Sequence, residues 1–198
     1  MMINKLSSLI SSKFVEHNII SKSVKDVYRY GIEITISSII GFVITCLIGL
    51  LFRMLMQTML FYVIFILLRS MTGGYHAKTY LKCNFIFSII TLFIVTFSKA
   101  AYEMQISFGI LTLLFLPSIA IFIWIAPVEN VNKPIKAEKR VYWKSISIVT
   151  SVLLYLLSLL LYKSQHTLEA TVIVMTIFSV SVLCMIPIIQ KEGKSNET

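Results

Sequence analysis

Charge is scarce in these 198 residues, acid above all: nine Asp and Glu stand against eighteen Lys and Arg, and charged residues make up 14% of the chain. A water-soluble domain carries nearer a quarter. With 57% hydrophobic residues and a mean hydropathy of +0.86, the shortage excludes one and marks a membrane protein. Too little polar sequence is left between apolar runs for an independent soluble part, so a single membrane domain is expected. Cysteine is scarce as well. Cys46, Cys83 and Cys184, two of them inside long apolar stretches, exclude the paired framework of a secreted protein. The first thirty residues lack a continuous apolar core followed by a small-residue cleavage site, so a cleaved signal peptide is not expected. The net charge of +9 would suggest nucleic acid in a soluble chain. Here the bases fall between apolar runs and read as topology determinants, with no nucleic-acid partner implied.

What is present is organised by hydropathy. Near the start, Ile3, Leu6, Ile10 and Phe14 recur at spacings of three and four, with Lys5, Ser8, Ser12 and Lys13 between them, which gives one apolar helical face. Residues 1–31 therefore read as an amphipathic helical segment. It either lies in the bilayer interface with its bases toward headgroups or packs against the rest of the protein. Six apolar runs follow: Ile34 to Phe52, Met54 to Leu68, Asn84 to Ser98, Met104 to Val128, Ser145 to Tyr162 and Ala170 to Gln190. The expected fold is all-α and polytopic, with about six transmembrane helices over 32–190 and a cytoplasmic tail over 191–198. A crossing takes about 20 residues, so the second and third runs are short. A hairpin around Arg53 and snorkelling by Arg69 make two crossings feasible. Four crossings plus two re-entrant segments is the alternative.

Basic residues test the count, and their asymmetry supports six crossings or any even loss that preserves the pattern. Successive non-apolar stretches carry Lys5, Lys13, Lys22, Lys25 and Arg29; then Arg53; then Arg69, Lys78 and Lys82; then Lys99; then Lys133, Lys136, Lys139, Arg140 and Lys144; then Lys163; then Lys191 and Lys194. Alternate stretches thus place fifteen bases on one side and three on the other. Under the positive-inside rule both termini, and the stretch from Arg69 to Lys82, face the cytoplasm.

That stretch holds the one place outside an apolar run where a cysteine and a histidine come close, His76 and Cys83. An imidazole can take the thiol proton and neighbouring cations, here Arg69, Lys78 and Lys82, favour the thiolate. Gly73 and Gly74 permit positive φ and the close approach of another chain. In an unbroken helix seven residues span about 10.5 Å, too far for a hydrogen bond of about 3 Å. Either His76 sits on the Gly-containing turn and folds back, or the site closes on substrate. A third, orienting group is not singled out among Glu33, Gln57, Asn84 and Glu103. His17 and His166 fall on opposite sides by charge, so no metal site is expected. Cys46 and Cys184, among Ile, Leu and Val, read as packing residues.

Two stretches together resemble the accessory gene regulator protein B (AgrB) family of Gram-positive quorum sensing. One is Arg69…Gly73-Gly74-Tyr75-His76-Ala77 followed by Cys83; the other is Ala126-Pro127-Val128-Glu129-Asn130-Val131-Asn132-Lys133-Pro134-Ile135, similar to the family's AP…KPI segment. Length and number of runs also fit, so the resemblance covers essentially the whole chain. It implies a membrane cysteine endopeptidase without a cofactor, His76 as general base and Cys83 as nucleophile. Arg69, Gly73, Gly74, Lys133 and Pro134 are the implied supporting or substrate-binding residues, and Tyr75 is placed to shape substrate choice. The implied partner is an AgrD-like precursor lying on the bilayer. Its acidic C-terminal tail is released as a thioester forms on Cys83, and a Cys or Ser within the precursor then closes a thiolactone or lactone. Lys133, Lys136, Lys139, Arg140 and Lys144 either attract that tail or anchor to anionic lipid. Pro127 and Pro134 bracket their loop. The competing reading is a non-enzymatic peptide exporter or scaffold, for which a homodimer would supply the room that six helices lack.

Overall fold

A computed structural model describes residues 2–74, 79–128 and 137–195, with side chains over 3–74, 79–128 and 139–189. Among these residues the chain forms seven α-helices: α1 (Met2–Glu16), α2 (Lys25–Leu51), α3 (Leu55–Thr72), α4 (Tyr80–Glu103), α5 (Phe108–Ile125), α6 (Ala137–Lys163) and α7 (Thr167–Ser195). A short 3₁₀ turn, Lys22–Val24, leads into α2. Six helices are long and apolar enough to cross a membrane, as the six apolar runs lead one to expect. The two short runs are lengthened by their flanks. Leu55–Thr72 covers 18 residues, and Tyr80–Glu103 covers 24 by taking in Lys82, Cys83 and Lys99.

α7 is the axis of the bundle. Of the fifteen residues from Ala170 to Cys184, all but Phe178 and Val182 are buried. α3, α4, α5 and α6 all pack on it. Val172, Ile173, Met175, Ile177 and Val180 join Phe61, Ile64 and Leu68 of α3 and Leu111, Phe115 and Phe122 of α5 in one core. The other helices bury one stripe and turn Leu47, Val63, Phe93, Leu113 and Leu153 outward, as lipid-facing helices do. Small polar residues mark the contacts. Ser147, Ser151 and Ser158 are buried on α6, and the Ser151 hydroxyl donates to its own helix at the Ser147 carbonyl (2.7 Å), which satisfies it and lets backbones approach closely.

The two ends differ in construction. At one, α2, α4 and α6 stop in the same way. Arg53, Gln105 and Gln165 adopt φ of 56°, 50° and 67°, and the next amide reaches back to the last turn: Met54 N to Gly49 O at 2.7 Å, Ile106 N to Ala101 O at 3.0 Å and His166 N to Leu161 O at 2.9 Å. These are Schellman closures that use no glycine at the left-handed position. They make three tight hairpins. At the other end α2, α4 and α6 begin with Lys25 and Arg29, with Lys82, and with Lys139, Arg140 and Lys144. Bases at a helix N-terminus oppose the macrodipole. Placing them there three times is intelligible as anchoring at the bilayer surface, where topology outweighs the loss of a few tenths of a kcal/mol per charge. Lys139, Arg140 and Lys144 accordingly stand on the first turns of α6, not in a free loop.

α1 packs against α2. Ser7 and Ser11, four apart, are buried against α2, while Leu6 and Leu9 stay exposed beside Lys5. α2 runs through Gly31 without a break.

Candidate functional site

α3 ends in a knot of hydrogen bonds on one carbonyl. The Arg69 guanidinium donates from Nη1 to the Gly73 oxygen at 3.0 Å, the Thr72 hydroxyl lies 3.4 Å from the same atom, and the Cys184 thiol of α7 approaches it at 4.0 Å. Arg69 is half-buried at the end of α3, with its guanidinium on this carbonyl. Gly73 and Gly74 have φ of +67° and +115°, where a side chain is strained. Space forbids one too: a Cβ on Gly73 would meet the Val128 carbonyl, and one on Gly74 would meet Arg69 and, at 3.1 Å, the Leu183 oxygen.

The two sequence motifs meet here. Gly73 and Val128 form an isolated parallel β-bridge, and the Val128 amide donates to the Thr72 carbonyl at 2.8 Å. Ala126 and Pro127, joined by a cis peptide, are buried beneath. Segments more than fifty residues apart in sequence thus share a backbone hydrogen bond at the end of the bundle where the bases gather.

Cys83 is half-buried at the end of the first turn of α4. Thr79 is the N-cap, its hydroxyl accepting from Lys82 N at 3.3 Å, and the Cys83 amide closes the first turn onto the Thr79 carbonyl at 3.0 Å. Arg69 lies within electrostatic reach of both Cys83 and Cys184. The sulfur thus stands at a helix N-terminus and within reach of a guanidinium, both of which attract an anionic group. His76 lies outside the described residues, as do Tyr75, Lys78, Lys133, Pro134 and Lys136.

Four polar groups at helix ends were candidates for an orienting role, and they separate cleanly. Gln57 and Glu103 are at the far end, where Gln57 donates to Glu169 at 2.8 Å and His166 stands 3.8 Å from Glu169. Glu33 and Asn84 are on the side of Cys83. Glu33 is buried on α2 and accepts from the Tyr80 hydroxyl at 2.8 Å and the Ser7 hydroxyl at 2.9 Å, with Arg29 at 3.4 Å. Ser37 donates to Asn84 at 3.0 Å. Sequence reasoning gave Tyr80 no role beyond lying under a folded-back His76, left Ser37, Thr72 and Leu183 without one, and read Cys184 as packing alone. It does pack, with its thiol also turned to the Gly73 carbonyl. The available signal was Glu33 itself, an acid bounded by Ile32 and Ile34 in a spanning segment. His17 is exposed after α1, and no group of three or more metal-ligating side chains exists among the described residues.

A seven-helix membrane bundle with a cysteine, an arginine and a glycine pair gathered at its basic end defines the class. The family described as Accessory gene regulator B (AgrB) matches residues 3–189, and the chain belongs to that family. It is 30% identical over 195 residues to an AgrB-like protein of Clostridium perfringens, covering 93% of this chain and 90% of that one. It is 29% identical over 126 residues to accessory gene regulator protein B of Staphylococcus intermedius, covering 64% of this chain and 65% of that protein. Protein FsrB of Enterococcus faecalis is 28% identical over 131 residues, 66% of this chain and 54% of its own length. No solved structure matches the chain significantly.

Proposed function

We propose that this protein is the membrane-embedded cysteine endopeptidase of an accessory gene regulator quorum-sensing system, acting on an AgrD-like precursor. The observation that carries the reading is the seat of Cys83: half-buried at the start of a spanning helix, within reach of Arg69, at the end of the bundle where the glycine pair and the Ala126-Pro127-Val128 segment join. His76 takes the Cys83 proton, and the thiolate attacks the peptide carbonyl at the start of the precursor's acidic tail. The carbon–nitrogen bond breaks, the imidazolium returns the proton to the departing amine, and a thioester remains on Cys83. A Cys or Ser within the bound precursor then attacks the thioester, its own proton passing to His76, and Cys83 leaves as the ring closes. Water excluded from the site favours closure over hydrolysis.

Both termini and the site face the cytoplasm in this reading, because the bases gather there and the precursor is made there. Lys133, Pro134 and Lys136 belong to the segment that receives the tail. The test is reconstitution in anionic vesicles with a peptide carrying an amphipathic start, a central Cys or Ser and an acidic tail. Wild-type protein should release the tail, while Cys83→Ser and His76→Ala insert equally and release none. Retained cleavage in either variant would leave the exporter or scaffold reading in its place.

A further inference from the structure

We propose that a polar ladder between α2 and α4, with Glu33 and Tyr80 as its first rung and Ser37 and Asn84 as its second, is the positioning device that aims Cys83. The two helices begin at the same end of the bundle and run parallel. Their contacts keep one register: Glu33 with Tyr80 at 2.8 Å, then Ser37 with Asn84 at 3.0 Å, each pair 47 residues apart. One turn deeper Gly41 lets the Phe87 ring approach, to 3.6 Å from where a Cβ would stand. Cys83 lies three residues after Tyr80 and one before Asn84, so the rungs bracket it. They fix the rotation of α4 about its axis at the turn that carries the sulfur.

The first rung has an anchor beyond α4. Glu33 also accepts from Ser7 of α1, at 2.9 Å. The interfacial helix, the first spanning helix and the nucleophile's helix therefore converge on one buried carboxylate. Unpaired, such a carboxylate is costly in the bilayer, so Glu33 holds its donors firmly. Tyr80 acts through α4 and not on substrate, which makes it a positioning residue.

This inference rests on the peptidase reading, and two readouts separate their failures. In the vesicle assay Tyr80→Phe, which removes the hydroxyl alone, should lower kcat for tail release about tenfold and leave KM within twofold. Glu33→Gln keeps an acceptor for Tyr80 and should retain at least half of kcat, whereas Glu33→Leu should not. Thr96→Ala, on an exposed part of α4, is the control. Independently of any precursor, alkylation of Cys83 by a small maleimide should quicken at least threefold in Tyr80→Phe as the first turn of α4 loosens. A fall in kcat with a rise in alkylation confined to Cys83, at unchanged insertion, separates loosening of α4 from misfolding, which would open the buried Cys184 to the reagent as well. If wild-type protein cleaves nothing, the peptidase reading fails and the alkylation result still judges the ladder. Unchanged alkylation in Tyr80→Phe, or kcat within twofold of wild type in a protein that cleaves, overturns it.

Discussion

The guanidinium of Arg69 closes on the carbonyl oxygen of Gly73, four residues later, at 3.0 Å, and so folds the end of α3 back over its own last turn. That contact fixes a glycine whose φ is +67° and whose neighbour Val128 is bridged to it. Arginine has a fork of donors able to hold the Gly73 carbonyl while its charge stays within electrostatic reach of Cys83 and Cys184. Lysine brings equal charge on a single nitrogen and cannot do both. Arg69→Lys should insert normally and lose at least about tenfold in tail release, a change of about 1.4 kcal/mol in the barrier. Single-turnover cleavage in vesicles measures it; full activity in Arg69→Lys would show that charge alone suffices.

The two glycines should fail differently. A methyl on Gly73 meets the backbone carbonyl of Val128, which cannot swing away, so Gly73→Ala should break the bridge and cost about 1–3 kcal/mol through strain at positive φ. On Gly74 the nearest atom is the end of the flexible Arg69 side chain. Gly74→Ala is strained too, at φ +115° and against the Leu183 carbonyl at 3.1 Å, so it should also lose stability in detergent, and it should lose tail release by pushing the guanidinium off the Gly73 carbonyl while the bridge to Val128 stays. Full tail release in Gly74→Ala would contradict the assignment.

Six spans and a basic end were legible because hydropathy and charge are properties of single residues summed over a window. The Cys83 segment was legible because a thiol, an imidazole and two glycines outside an apolar run are uncommon together. The rungs were not. Tyr80 reads as an ordinary aromatic near a helix start and Ser37 as one hydroxyl among several, and each acquires meaning only from a partner 47 positions away. Glu33 was conspicuous by its charge, while its role depends on the register of α2 against α4, which periodicity does not encode. The meeting of Gly73 with Val128 is of the same kind, since a backbone bridge between distant loops leaves no hydropathy signal.

The cysteines should react in a fixed order. Cys83 is half-buried, whereas Cys184 of α7 has no exposed surface and belongs to the core. A small maleimide added to inside-out vesicles should therefore label Cys83 and spare Cys184 until the protein is denatured. Mass spectrometry of the two peptides decides it. Labelling of Cys184 at a comparable rate would mean that the end of α3 opens far more than its hydrogen bonds suggest.

The three hairpins at the far end offer a change in the opposite direction. Arg53, Gln105 and Gln165 each sit in left-handed geometry that costs an L-residue about 1–2 kcal/mol relative to its right-handed form, and glycine escapes that cost. Part of the gain is lost because glycine is freer in the unfolded chain, which leaves a net gain of about 0.5–1 kcal/mol per site. Gln105 and Gln165 are exposed, and neither lies near Cys83, so Gln105→Gly and Gln165→Gly should raise the thermal midpoint in detergent. Tyr162 links the two turns, its hydroxyl donating to the Ile106 carbonyl at 3.3 Å and its own carbonyl accepting from Gln165 N at 3.1 Å, so the two gains should couple and not simply add. Tail release should be untouched, because the hairpins and the cysteine occupy opposite ends of helices about 27–36 Å long. A double variant no more stable than wild type would show that these turns owe their shape to packing against neighbours and not to the local closure.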